Sequence, residues 1–96
     1  VIGARGPNMQ TNAACAGTTQ AIAIAQDIIQ QGRCERLIVI ASDNASGDTL
    51  IPWLGSGFRA LGAATIAGRV EDAALPFDKR RSGMILGAGA IGIVLE

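Results

Sequence analysis

Cys15 is the residue of this chain whose type and setting point most directly to chemistry. It stands in "NAACAGTTQAIAIAQ", residues 12–26, among the small residues Ala13, Ala14, Ala16 and Gly17. A thiol placed where an extended segment turns into a helix meets unpaired backbone N–H groups and the positive end of the helix dipole. That setting favours the thiolate, which is the nucleophilic form. A sharp turn of this kind also lifts a side chain clear of the backbone and leaves N–H groups to hold an oxyanion; its crowding calls for small neighbours. The same residues equally describe a buried cysteine used as a small hydrophobe. Local sequence leaves both readings standing. A caspase-type site is a poor match, because Ala13 stands where that signature has Gln and Ala16 suits its variable position badly.

Composition sets a limit on either reading. The chain contains no histidine, and cysteine-based acyl chemistry needs a base or a proton carrier. Any such partner of Cys15 is expected outside these residues. A second candidate, "GAGAIG" at 87–92, has the spacing G-x-G-x-x-G. A dinucleotide fingerprint requires a helix opening at the motif and an acidic residue about 20 positions on. The strand-like "IVLE" follows instead, so these glycines are expected where a side chain would collide, and no cofactor-binding residue is assigned. Neither cysteine belongs to a CxxC pair, and no metal site is expected. Cys34 follows a helix stop and precedes Glu35 and Arg36, a structural setting. Trp53 and Phe58 are expected to pack under a loop, with the lining of an acyl channel as the alternative. Asp43 and Asn44 suit a turn, or a ligand contact at the end of a strand.

These candidates need elements to hold them. Residues 9–14, "MQTNAA", read as a short buried strand arriving at Cys15. From Ala16 to about Gln31 there is no proline, Thr18 or Thr19 lies in the first turn, and Gly32 supplies a C-terminal stop. The apolar positions run consecutively, and Asp27 is the one charge between Ala13 and Gln31, so this helix is expected to be buried around most of its circumference. "RLIVIAS", 36–42, reads as a strand buried on both faces. Strand, helix and strand would make one right-handed βαβ unit. "DNASGD" reads as a loop. The stretch from Thr49 to Thr65 suggests one or two short helical turns interrupted by Pro52, Gly55 and Gly57. A polar connection leads to a final strand in "MILGAGAIGIVLE", and the chain shows no internal repeat or low-complexity tract.

The whole chain has 96 residues, 49% hydrophobic and 17% charged, with eight basic residues offset by eight acidic ones. So low a charged fraction is unusual for a small domain that covers its own surface. With Val1 at the start and an apolar run just before Glu96, the chain is expected to be a segment of a larger protein. Charge balance argues against nucleic acid; Lys79-Arg80-Arg81 reads as a solvated or salt-bridged patch. No apolar run reaches the length of a membrane span. Reduced thiols in a cytoplasmic setting are expected.

Four blocks taken together resemble the β-ketoacyl synthase family of the thiolase-like superfamily: "GPNMQTNAACAG", "AIAIAQDIIQQGRCERLIVIAS", "GFRALGA" and "PFDKRRSGMILGAGAIGIVLE". The last is similar to the ketosynthase pattern P-F-D-x-x-R-x-G-x-x-x-G-E-G-A-x-x-x-V-L-E. The resemblance implies an α/β fold, the thiolase-like five-layered αβαβα arrangement made of two related halves. Residues 1–96 would then be a single incomplete domain from the N-terminal half. It implies Cys15 as acyl-accepting nucleophile, with its own N–H in the oxyanion hole and two histidines supplied by the second half. Acyl groups would arrive on the phosphopantetheine arm of an acyl carrier protein, with no tightly bound cofactor, and the full-length domain would be a homodimer.

Some positions depart from the family pattern. Ala41-Ser42 replace its Gly-Gly, Asn44 its nearby Glu, Ser82 its Asp and Ala88 the Glu of G-E-G-A. These departures suggest a divergent subgroup, such as that of a modular polyketide or polyunsaturated fatty acid synthase. Two rival readings are a thiolase or coenzyme A-primed condensing enzyme, against which the P-F-D block argues, and a non-catalytic ketosynthase-like subunit, against which Cys15 argues.

Overall fold

Alanine-rich and proline-free, the residues after Cys15 have strong intrinsic helix preference, and in the computed structural model they form α1, Gly17–Gln30. The structure describes residues 3–45, 47 and 49–96. The remaining elements are β1, Leu37–Asn44; α2, Leu50–Ala60; a 3₁₀ turn, Val70–Asp72; and β2, Ala88–Leu95. The chain divides into two units, Val1–Ala41 with Ile91–Glu96, and Ser42–Ala90.

In the first unit, α1 ends as its sequence suggests. Gly32 takes φ +67, its N–H donates to the Ile29 carbonyl at 2.8 Å, and the Arg33 N–H donates to the Ile28 carbonyl at 3.1 Å. This is the paired closure that satisfies orphan carbonyls at a helix end, and it requires a left-handed residue that glycine accepts most easily. The start also agrees: the threonines lie inside the first turn, and Ala16 caps the helix with no side-chain bond. β1 pairs with β2 in a two-stranded sheet. Arg36, just before β1, holds Glu96, just after β2, at 2.8 Å, so the strands run in opposite directions. Both side chains are largely exposed, so the ion pair reports register more than stability.

Several expectations for this unit are corrected. Residues 9–12 form no strand; among the described residues β1 and β2 pair only with each other, and a strand without a partner leaves its backbone groups unbonded. The βαβ unit is therefore reduced to helix and strand. β1 buries Val39 while Ile38 and Ile40 are exposed, because a two-stranded sheet has at most one covered face. In α1 only Ala25 is fully buried; Ile22, Ile24, Ile28 and Ile29 are half-buried.

In the second unit, α2 runs unbroken for 11 residues. Pro52 is its third residue, where a missing N–H costs no intrahelical bond, and this is why the expected interruption does not occur. α2 closes as α1 does, with Gly62 at φ +68 and the Ala63 N–H donating to the Phe58 carbonyl at 2.9 Å. Beyond it, Met84 N–H donates to the Ala63 carbonyl and Thr65 N–H to the Met84 carbonyl, each at 2.9 Å. Gly83 sits inside this contact: a Cβ there would lie 2.5 Å from the Ala64 carbonyl carbon and the Thr65 nitrogen. Ser82 Oγ accepts the Ile66 N–H at 3.2 Å and meets Thr65 Oγ1 at 2.8 Å.

Within the basic run, Arg80 is salt-bridged. Arg80 grips Asp78 with Nε and Nη2, at 3.1 and 2.9 Å, and reaches Asp72 at 3.8 Å. Hydrogen bonds from the Arg80 side chain and then its backbone N–H hold the Asp78 carboxyl below its ordinary value. The glycines of β2 are a correction. Gly87, just before β2, and Gly89 and Gly92 within it have open space where a Cβ would stand. Part of the "DNASGD" stretch belongs to β1, with Asp43 and Asn44 as its last residues; Ser46 and Asp48 lie outside the described residues.

Candidate active site

The turn that carries Cys15 is built from its neighbours' backbone. Asn12 Oδ1 accepts the Ala14 N–H at 3.0 Å, and Ala14 takes φ +47. Ala16 N–H then donates to the Ala13 carbonyl and Gly17 N–H to the Ala14 carbonyl, both at 3.0 Å. These bonds lead directly into α1. Cys15 is an exposed free thiol, whereas Cys34 is half-buried. An exposed thiol two residues ahead of a 14-residue helix lies near N–H groups that have no partner within the helix. That arrangement suits nucleophilic attack on a carbonyl.

Sequence reasoning singles out Cys15 as a candidate and passes over the Asn12 contact. Its signal is an Asn two residues before a position that the turn drives to positive φ, where Asx side chains commonly bond. Of the other candidates, Trp53 and Phe58 lie on α2 and not under a loop. With Leu54, Ser56, Gly57 and Leu61 they line a shallow hollow of about 360 Å³. Trp53 is largely exposed. "GAGAIG" enters a strand and opens no helix, so it does not make a dinucleotide fingerprint. Among the described residues, no group of three or more His, Cys, Asp or Glu side chains could hold a metal ion, and no helix is long and apolar enough to cross a membrane.

A helix headed by an exposed thiol, followed by a strand of a paired sheet, defines an α/β chain with a candidate cysteine nucleophile. The protein-family model described as "Beta-ketoacyl synthase, N-terminal domain" matches residues 1–96, and the chain belongs to that family. It is 34% identical over 95 residues to a 3-oxoacyl-[acyl-carrier-protein] synthase 2 of Staphylococcus aureus, covering 99% of this chain and 23% of the relative. It is also 34% identical over 98 residues to the enzyme of the same name from Synechocystis sp., covering 99% of this chain and 22% of the relative. The chain thus spans about a quarter of the length of these curated relatives. No solved structure matches it.

Proposed function

We propose that this chain is part of the N-terminal half of a β-ketoacyl-[acyl carrier protein] synthase and that Cys15 is its acyl-accepting nucleophile. The observation that carries the reading is the exposed thiol at the head of α1 in a chain that belongs to this family along its whole length. In the first step the Cys15 sulfur attacks the acyl thioester on a phosphopantetheine arm. The bond from the Cys15 sulfur to the acyl carbon forms, the bond from that carbon to the pantetheine sulfur breaks, and the proton of the Cys15 thiol ends on the released pantetheine sulfur. In the second, a malonyl-type thioester loses carbon dioxide and its carbanion attacks the Cys15-bound acyl carbon, releasing the Cys15 thiolate. The Cys15 N–H contributes to the oxyanion hole, and histidines elsewhere in the intact protein assist decarboxylation, since this chain has none.

On this reading residues 1–96 are one incomplete piece of a five-layered αβαβα fold. The intact domain works as a cytoplasmic homodimer with an acyl carrier protein as partner. The carrier-dependent names of the relatives support a carrier over a coenzyme A primer. The test is intact-mass spectrometry of the full-length protein after incubation with an acyl-pantetheine thioester. One acyl adduct is expected on the parent and none on Cys15→Ala. An adduct that survives Cys15→Ala removes the cysteine from the mechanism, and no adduct on either protein favours a non-catalytic ketosynthase-like subunit.

A further inference from the structure

We infer that Asn12 is a positioning residue for Cys15: by accepting the Ala14 N–H, its side chain holds the left-handed turn that presents the thiol. The inference rests on the reading of Cys15 as acyl acceptor. Ala14 is one of two non-glycine residues with positive φ among the described residues. Such a conformation is disfavoured for a residue bearing a Cβ, and asparagine or aspartate tolerates it better because its own side chain can bond locally. Alanine has no such group, so the support comes from Asn12 Oδ1 at 3.0 Å.

That oxygen is not the cap of α1. The helix is capped by Ala16 without any side-chain bond, so Asn12 acts on the residue preceding the cysteine and not on the helix end. The Ala14 carbonyl in turn accepts the Gly17 N–H at 3.0 Å. Ala14 is therefore held at both its N–H and its carbonyl while the neighbouring thiol stays exposed. Letting Ala14 return to its ordinary conformation would re-aim both the thiol and the Cys15 N–H. Misplacement of a reacting group by about 1 Å can cost on the order of 100-fold in rate.

The test measures Cys15 acylation in the full-length protein across a range of acyl-pantetheine concentrations. Asn12→Ala should lower the maximal rate roughly tenfold or more and leave the half-saturating concentration unchanged. Asn12→Asp, which keeps an acceptor oxygen, should acylate close to the parent rate. Adding Ala14→Gly to Asn12→Ala should restore the rate, because glycine adopts positive φ without a Cβ penalty. A parent-like rate for Asn12→Ala overturns the inference. So does a loss that Ala14→Gly fails to restore, whether or not the melting temperature has fallen. Cys15→Ala reports separately on the nucleophile: an adduct that persists there overturns the reading of Cys15 and the inference with it, whereas loss of the adduct there with a parent-like rate for Asn12→Ala overturns the Asn12 inference alone.

Discussion

At the scale of single residues, two positions show how backbone geometry restricts side-chain choice. Holding a non-glycine residue such as Ala14 at positive φ costs about 1–3 kcal/mol, and one hydrogen bond returns about 0.5–1.5 kcal/mol net. The Asn12 bond is thus of the right size to offset much of the strain ahead of Cys15. Gly83 is restricted by contact instead. The atoms a Cβ would meet belong to the Ala64–Thr65 backbone, which cannot swing aside as a flexible side chain would. Gly83→Ala in the full-length protein should therefore destabilise by about 1–3 kcal/mol, the range for overpacking, as read from the urea midpoint. A midpoint equal to the parent's would show that the 63–65 segment moves freely.

At the scale of elements, both helices end through a glycine, Gly32 for α1 and Gly62 for α2, each at positive φ. Gly32→Ala should cost about 1 kcal/mol in denaturant unfolding, because alanine must adopt the left-handed conformation or give up the closing bonds. The control is an alanine at Gly17, which has ordinary φ and open space and should be neutral or mildly stabilising. Much at this level was legible in sequence. α1 matches its expected span within a residue at each end, since its composition and its stop signal are local. β1 and β2 likewise follow from β-branched runs. The sequence suggests short turns interrupted by Pro52, Gly55 and Gly57, whereas α2 is continuous through all three. A proline in the first turn interrupts nothing, and one residue of register separates the two outcomes.

At the scale of the whole molecule, little side-chain area is enclosed: among the described residues the buried hydrophobic side chains are Ala25, Val39 and Ala45. Leu61, Ile66, Val70 and Phe77 are each at least 80% exposed. Burial is the main favourable term in folding, so the isolated 96-residue chain should be poorly soluble. Without histidine it should also release no carbon dioxide from a malonyl thioester. Measurable decarboxylation by the purified chain would contradict this. Recovery as a soluble species with a cooperative melt would contradict the first half of the prediction.

Sequence alone determined the family resemblance, the cysteine as candidate nucleophile, the extent of α1, and the two strands. Each depends on residue types over a short stretch, where propensity and spacing act directly. Tertiary structure decided the exposure of Cys15, the positive φ of Ala14, and the glycine that is sterically required. Gly83 is that glycine; Gly87, Gly89 and Gly92 are not. It also decided that residues 9–12 remain unpaired and that the helix and strand are only partly covered. These features depend on which segments approach one another, and a strand or a buried face exists only where a partner segment is there to bond or cover it.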